Sequence, residues 1–457
     1  MKSFYNTKKL ILILGDIVVL YLSLYLALML RYQQLPSSRL LQDHFWPFSI
    51  IFVFCLLILY ISNLYDLRLA VNNARFWQLA IKSLAASVAF SFTFFYLIPN
   101  IGIAPKTNLI IFVLIFLILF SFWRQFYNWS LKAYLPKNNI AIIGINDQTK
   151  ELIKELNENS HLGYNITFIV DDQNQTQNSF SDSLKIINNF SDLPDIVKNS
   201  RIDTIVFTGN LHESNDLRSA LFACLPLKIN FVNLPIFYEA ITGRVPISVI
   251  NQTWFLENLS EGARGTFDLY KRMYDLLFSI ILLMLTIIFW PFIAIVIKIE
   301  SRGPAFFLQT RVGKNGQLFK MIKFRTMKEE GNNRDLTTKN DGRVTRFGSF
   351  LRKSRIDELP QLINIIKGEM SFVGPRPERP EFVQELSQIV PFYRERMLVK
   401  PGVTGWDQIS GEYHSPTRED TLKKLQSDLF YIKNRSIYLD LSIILKTIYT
   451  VLSHGGR

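Results

Sequence analysis

The chain has 457 residues, 49% of them hydrophobic, with 37 Phe and 18 Tyr gathered into long apolar runs. That length exceeds the ~250–300 residues at which a single core stops growing, so two or three domains are expected, and the runs exclude an ordinary soluble globule. The formal net charge of +13 would suit nucleic acid, an anionic lipid surface or a phosphate-rich substrate; the apolar runs favour the last two, and no nucleic-acid partner is expected.

Cys55 and Cys224 are the two cysteines. With no CxxC or Cys/His metal spacing, they imply a reducing compartment and no structural disulfide. Lys8 and Lys9 precede the first apolar stretch and no small-residue cleavage site follows it, which reads as a retained helix and not as a removed signal peptide.

Leu10 to Leu30, Phe45 to Ile61, Leu79 to Leu97 and Leu109 to Phe122 each approach the ~20 apolar residues of a bilayer-spanning helix. They predict four transmembrane helices. Lys8, Lys9, Arg68, Arg75, Arg124, Lys132 and Lys137 lie on one side of that arrangement and Arg31, Arg39 and Lys106 on the other, a modest bias that puts both ends of the domain in the cytoplasm.

From Asn139 short β-branched runs alternate with helical spacing: Ile140 to Gly144, then Thr149 to Leu156, then Ile166 to Val170, and later Ile205 to Phe207. Strand, helix, strand predicts a small parallel α/β domain ending near Leu259. Its first strand runs into Gly144-Ile-Asn-Asp and lacks the GxGxxG that admits a pyrophosphate, so a degenerate Rossmann-like module is expected in place of a working dinucleotide site.

A fifth apolar stretch, Leu276 to Ile297, is flanked by Lys271, Arg272 and Asp275 on one side and by Lys298, Glu300 and Arg302 on the other. Both flanks are cationic, and Pro291 removes a backbone donor within the stretch. A re-entrant helix that enters one leaflet and returns fits this pattern; a kinked spanning helix is the alternative. At the end of the chain, Leu422 to Leu452 has helical spacing that suits either an interfacial amphipathic helix or a soluble packing helix.

Chemistry gathers after Gly303. In Leu351-Arg-Lys-Ser-Arg-Ile-Asp-Glu-Leu-Pro-Gln-Leu362, Ser354 and Asp357 have capping-box spacing, so Asp357 could simply cap a helix. Arg352, Lys353 and Arg355 around such a helix start would also hold phosphates. The adjacent carboxylates Asp357 and Glu358 could divide labour, one attacking or holding a metal and the other managing a proton. Lys323 and Arg325, at alternating positions, would share one strand face, and Arg376 lies between two prolines, a stiff setting that suits a phosphate clamp. The five histidines, His44, His161, His212, His414 and His454, are dispersed, so zinc is not argued. A diphosphate substrate beside carboxylates favours Mg²⁺. There is no GxxxxGK[ST] and no GxSxG.

Lys271-Arg272…Asp275, Gly303-Pro304 to Gln309, Lys323-Phe-Arg-Thr-Met327, Asp357-Glu-Leu-Pro-Gln361, Lys367 to Pro377 and Lys400-Pro-Gly-Val-Thr-Gly-Trp406, in this order, resemble the bacterial sugar transferases, the polyprenyl-phosphate hexose-1-phosphate transferases or monotopic phosphoglycosyl transferases. The four N-terminal helices and the degenerate nucleotide fold are similar to the long form of that family. The resemblance implies a membrane protein, α plus α/β, with a four-helix transmembrane domain at 1–135, a degenerate Rossmann-like domain at 139–260 and a catalytic domain at 266–457 holding a re-entrant helix at 271–298.

The reaction it implies moves a sugar-1-phosphate from a UDP-sugar to undecaprenyl phosphate, with UMP leaving. Asp357 is then the nucleophile and likeliest Mg²⁺ contact, Glu358 its catalytic partner, and Lys323, Arg325, Arg352 and Arg376 the phosphate-binding residues, with Pro291 at the membrane-helix break. The resemblance further implies the inner membrane with the catalytic domain on the cytoplasmic face, a homodimer, and a place at the start of surface-glycan synthesis. Two departures are visible: Trp290-Pro291 stands where short members often have Ser-Pro, and Arg-Ile precedes Asp-Glu where many have Ser-Leu. Rival readings are a membrane-anchored nucleotide-sugar dehydratase or epimerase, which should carry a complete GxGxxG, and a non-enzymatic scaffold for glycan export.

Overall fold

The computed structural model describes residues 2–65, 73–97, 105–134, 138–158, 163–171, 185–187, 193–208, 215–259, 265–328, 342–409 and 417–452. Arg68, Lys137, His161, His212, His414 and His454 lie outside the described residues. The chain divides into two compact units, Met1–Ala240 and Ile241–Arg457.

The first unit opens with four long helices, α1 (Lys2–Tyr32), α2 (Ser38–Ile61), α3 (Ala74–Leu97) and α4 (Pro105–Tyr134). Each holds a run long and apolar enough to cross a membrane: Thr7–Tyr32, Ser38–Ile61, Phe76–Leu97 and Thr107–Ser130. Lipid tails are as apolar as leucine, so such helices associate through packing and polar contacts. Here Phe48 meets Phe52, Phe95 and Phe112 at ring separations of 6.0, 5.5 and 5.5 Å, joining α2, α3 and α4. One of the polar contacts is a fully buried ion pair, Arg124 Nη2 to Asp16 Oδ2 at 2.6 Å, tying α4 to α1, while Arg124 Nη1 donates to Leu64 O at 2.9 Å.

A five-stranded sheet follows. Its elements are β1 (Asn138–Ile143), α5 (Asp147–Glu158), β2 (Tyr164–Val170), β3 (Lys185–Ile187), α6 (Leu193–Asn199), β4 (Thr204–Phe207), α7 (Asn215–Ala223), β5 (Asn230–Asn233) and α8 (Leu234–Thr242). All pairings are parallel, in the order β3-β2-β1-β4-β5, with Ile142 opposite Ile169 on one side and Val206 on the other. Every residue of β4 and the last four of β1 are buried, as a parallel sheet covered on both faces requires. This is the expected Rossmann-like order.

The second unit takes in residues before the fifth apolar run. Val245, Ile247, Ile250 and Leu259 pack in one core with Val373, Val399, Leu425, Leu429 and Ile443. The last part of the stretch read above as the α/β domain therefore contributes its side chains to the second unit. After α9 (Gln252–Asn258) come α10 (Gly265–Thr286), a 3₁₀ turn at Ile287–Phe289 and α11 (Trp290–Glu300). Together Gly265–Glu300 is a fifth run apolar and long enough to enter a membrane, with mean hydropathy 3.0 and 11% of its most apolar window buried. Pro291 stands in the first turn of α11, directly after the 3₁₀ break, where its missing N–H is harmless.

The remaining elements are the antiparallel pair β6 (Phe306–Val312) and β7 (Leu318–Phe324), α12 (Arg346–Lys353), α13 (Gln361–Lys367), β8 (Ser371–Val373), α14 (Pro380–Ile389), β9 (Gly402–Thr404), α15 (Trp406–Ile409), α16 (Arg418–Asn434) and α17 (Ile437–Leu452). The terminal stretch is thus two helices. α16 buries Leu425, Leu429, Tyr431 and Ile432 in the core, the soluble packing role, whereas α17 leaves Ile437, Tyr438, Leu441 and Ile448 exposed.

Candidate active site

The site is built on β7 and on the turn between α12 and α13. Thr345 caps α12, its Oγ1 accepting from Gly348 N at 3.0 Å, and Ser354 ends it. Arg355 then adopts φ 57°, a left-handed conformation that a side chain makes costly, by roughly 1–2 kcal/mol, and that turns the chain into a short 3₁₀ segment, Ile356–Glu358. The capping box expected at Ser354 is not formed: the Ser354 hydroxyl donates backward to Phe350 O at 2.8 Å. Reversal at Arg355 separates Ser354 from the N–H groups that a cap would serve. Asp357 is therefore released from a capping role.

α13 is clamped from two sides. Fully buried Asn364 accepts from Ile322 N at 3.1 Å and donates to Lys320 O at 2.8 Å, fixing α13 to β7, and Arg272 of α10 donates to Ile365 O and Ile366 O at 2.5 and 2.7 Å. The turn that carries Asp357 and Glu358 immediately precedes this clamped helix. Asn364 lies outside the motifs singled out from the sequence as chemical, because an interior amide carries no charge pattern.

Asp357 and Glu358 are both buried, each 8% exposed. Glu358 Oε1 accepts from Lys323 Nζ at 2.8 Å and lies 3.7 Å from Arg355 Nη1 and 3.6 Å from Arg376 Nη2. Burial pushes its pKa up, but Lys323 first, then Arg376 and Arg355, outweigh burial and hold it at about 2. Asp357 goes the other way. Burial, then the charge of Glu358, raise it to about 6 against the opposing pull of Lys323, Arg355 and Arg352. Its Oδ1 is buried with no hydrogen-bond partner among the described residues.

The structure brings Asp357, Glu358, Lys323 and Arg376 together, with Arg352 near enough to favour ionised Asp357 while its Nε donates to Thr326 Oγ1 at 2.9 Å. Arg325 separates from Lys323. β7 ends at Phe324, and the Arg325 guanidinium turns to Ser301, donating to its carbonyl at 2.7 Å and leaving Nε and Nη1 without partners. Arg355, read from the sequence among the cations around the helix start, joins the cluster.

Arg376 is presented by a braced loop. Arg396 Nη2 donates to Arg376 O at 3.0 Å, Arg311 Nη1 to Pro377 O at 3.0 Å, and Val312 N to Glu378 O at 3.0 Å. Glu378 in turn pairs with Lys424, and Arg396 with Asp428 at 2.7 Å. Glu378 is pushed up by burial but held at about 2 by Lys424, then Arg396. These buried charges fix the Pro-Arg-Pro backbone, so that Arg376 reaches the carboxylates with little backbone freedom to lose.

An orphaned carboxylate oxygen beside phosphate-seeking cations suits Mg²⁺, which binds through one or two carboxylates and completes its shell with phosphate oxygens and water. Among the described residues no group of three or more His, Cys, Asp or Glu forms an all-protein cage. The residues present fit that shared mode.

Residues 266–454 match the bacterial sugar transferase family, and residues 61–235 match a CoA-binding domain family. The chain is 39% identical over 231 residues to the UDP-N-acetylgalactosamine-undecaprenyl-phosphate N-acetylgalactosaminephosphotransferase of Aeromonas hydrophila, covering 49% of this chain and 54% of that protein. It is 30% identical over 355 residues to the UDP-glucose:undecaprenyl-phosphate glucose-1-phosphate transferase of Xanthomonas campestris pv. campestris, covering 72% of this chain and 69% of that one. To the exopolysaccharide production protein PSS of Rhizobium leguminosarum bv. phaseoli it is 38% identical over 193 residues, 40% of this chain and 96% of that one. The Asp-Glu turn, the cations around it and an alignment that reaches through most of a full-length relative lead to one assignment: the chain belongs to the bacterial sugar transferase family, a family of membrane phosphoglycosyl transferases.

Proposed function

We propose that this protein transfers a sugar-1-phosphate from a UDP-sugar to undecaprenyl phosphate through a covalent intermediate on Asp357. The observation that carries the reading is the unpartnered Asp357 Oδ1 set among Lys323, Arg352, Arg355 and Arg376. In the first step an Asp357 oxygen bonds to the sugar-bearing phosphorus and the bond from that phosphorus to the UMP oxygen breaks, UMP leaving with the electron pair. In the second, an oxygen of the lipid phosphate attacks the same phosphorus and Asp357 leaves as carboxylate, giving the polyprenyl-diphospho-sugar.

Catalysis here is positioning and charge neutralisation. Arg376 on its braced loop, with Lys323, faces the charge that gathers on the phosphoryl oxygens. Glu358, ionised down to about pH 2, is too weak a base to carry a proton near neutrality; it orients Lys323 and Arg376 instead. Asp357 would hold Mg²⁺, which would supply further neutralisation of the departing UMP.

The reading also places the Gly265–Glu300 run in one leaflet, with Asp357 on the cytoplasmic side where sugar nucleotides are made. Three contacts support this. Asp275 near its start accepts from Phe372 N at 3.2 Å, Glu300 at its end accepts from Phe347 N at 3.1 Å, and Trp290 at its break packs on Phe306 and Phe324 at 6.0 and 5.6 Å. A straight helix of 36 residues would stretch ~54 Å and carry its middle away from the domain that holds both ends.

The decisive experiment omits the acceptor. Purified protein mixed with a UDP-sugar should gain the mass of one sugar phosphate, located on the peptide holding Asp357, and release one UMP per chain; UMP release with no covalent adduct under any quench would sink the intermediate.

A further inference from the structure

Apart from the catalytic turn, the second unit contains a cavity of about 130 Å³ at the cytoplasmic root of α10, with Lys271, Arg272, Lys314, Lys400 and Arg435 in its lining. None of Lys323, Asp357, Glu358 or Arg376 lines it. Asp268, Lys271, Arg272 and Asp275 follow the i, i+3, i+4, i+7 spacing of one helix face. The apolar run begins at the next residue, Leu276. If α10 enters lipid as proposed above, the cavity stands at the level of the headgroups.

The charges lining it do not balance. Five cations face two carboxylates, Asp268 and Asp275. Lys271 is compensated by Asp440 of α17 and Arg435 by Asp268 at 3.7 Å. Arg272, by contrast, donates to the uncharged carbonyls of Ile365 and Ile366, which leaves its charge in place. Lys400 forms no ion pair with a carboxylate among the described residues, and burial, then Arg272, with Lys314 adding to them, hold its ammonium below the usual lysine range against the weaker opposing pull of Asp275 and Asp268. The two cation tips converge: a Cβ built on Gly368 would sit 3.4 Å from Arg272 Nη2 and 3.6 Å from Lys400 Nζ. Gly368, at φ 87°, leaves that space open.

Two like charges held over one open point, at headgroup depth, form a receptor for an anion. A phosphate that bridges them relieves their repulsion and offers several acceptor oxygens at once. Lipid-facing surface is at hand, because α17, tied to α10 through Asp440, leaves Ile437, Tyr438 and Leu441 exposed.

We propose that this cavity is a second anion site, separate from the catalytic turn, which takes the phosphodiester head of an anionic phospholipid. The site also reaches the chemistry indirectly. Arg272 grips the end of α13, and α13 directly follows the catalytic turn, so a bound phosphate steadies the helix that holds Asp357 in place.

The test uses the full chain in vesicles of phosphatidylcholine with or without phosphatidylglycerol, followed by detergent extraction and native mass spectrometry in the absence of any sugar nucleotide. Wild-type protein and Lys323→Met should each retain phosphatidylglycerol, which should also raise the melting temperature; Lys400→Gln should retain about fivefold less, the loss expected for one cation near an anionic surface. Should Lys400→Gln fail to accumulate, Lys314→Gln takes its place with the same expectation. Equal retention by the cavity variant and wild type overturns the proposal, as does displacement of phosphatidylglycerol by polyprenyl phosphate, which would assign the cavity to the acceptor. Retention is read without turnover, so loss of UMP release with retention intact would count against the proposed reaction alone.

Discussion

Lys323 Nζ donates to Glu358 Oε1 at 2.8 Å, and the neighbouring Asp357 keeps an oxygen with no hydrogen-bond partner among the described residues. Two adjacent carboxylates in one buried turn thus meet opposite fates. The lysine locks Glu358 as an anion and leaves Asp357 chemically available, which is the division of labour that a nucleophile and its electrostatic support require.

Asp357→Asn should abolish UMP release while leaving the melting temperature within a few degrees of wild type, because the amide keeps the size of the side chain and relieves a buried charge. Glu358→Gln should lose activity as well, by a different route: it leaves Lys323 and Arg376 without their anchor. Parallel assays of UMP release and thermal unfolding check both, and near-normal turnover in Asp357→Asn would remove it as the nucleophile.

The Asp357 carboxyl must be ionised to attack, and burial beside Glu358 raises it to about 6. Its charged form is therefore lost as pH falls through about 6, and kcat/KM should climb through that range and level off above it. Lys323 pulls Asp357 downward, so Lys323→Met should move the acid limb to higher pH as well as slow the enzyme. A limb at the ordinary carboxylate position in both proteins would contradict the assignment.

Arg396 is a positioning residue for Arg376, whose carbonyl it holds at 3.0 Å while pairing with Asp428. Arg396→Met leaves Asp428 buried without the cation that pairs with it, while Glu378 keeps Lys424, and should cost about 3–5 kcal/mol of stability in denaturant unfolding. Arg396→Lys keeps the charge but gives up the planar fork. Its expected signature is a rise in KM for the UDP-sugar with a smaller change in kcat; an unchanged KM would show that the loop needs no such brace.

Acid should weaken the same brace. Glu378 is held at about 2 in the folded protein against an ordinary value of 4.5, so its contribution is complete above 4.5 and drains away as pH falls toward 2. Glu378→Gln should flatten that part of the stability curve, which pH-dependent melting in detergent reads directly.

The membrane arrangement predicts a labelling pattern. Single cysteines in place of Gln252 and Gln384, in a background lacking Cys55 and Cys224, lie on either side of the Gly265–Glu300 run and are both exposed. A membrane-impermeant thiol reagent should reach both in inverted vesicles and neither in intact cells. Opposite-sided labelling would establish a spanning helix.

How much of this was legible in the sequence depended on whether a feature leaves a periodic or a chemical trace. The apolar runs and the β-branched runs of β1, β2 and β4 announced themselves, as did the Asp-Glu pair. β3 and β5, of three and four residues, are too short to show a period and escaped notice. Ser354 and Asp357 had the spacing of a capping box, but spacing presumes helical dihedrals, and the left-handed Arg355 breaks that presumption. The parting of Lys323 and Arg325 has a similar cause: alternation holds only while the strand lasts, and β7 stops between them. Arg396, Asp428 and Lys424 converge from different elements around Glu378, and no local pattern records such a meeting.

Trp290, at the break of the apolar run, packs edge-to-face against Phe324, and Phe324 is the chain neighbour of Lys323. An anchor that merely moored the enzyme could be cut away to give a soluble version. This one is a wall of the building: excision of Gly265–Glu300 would uncover Phe306, Phe324 and Leu351, unhook α13 from Arg272, and loosen the strand end from which Lys323 projects. A water-soluble form of this enzyme must therefore be sought by repainting the outward face of this helical run with polar residues, at positions such as Leu285, Ile288 and Phe292, and not by trimming it off.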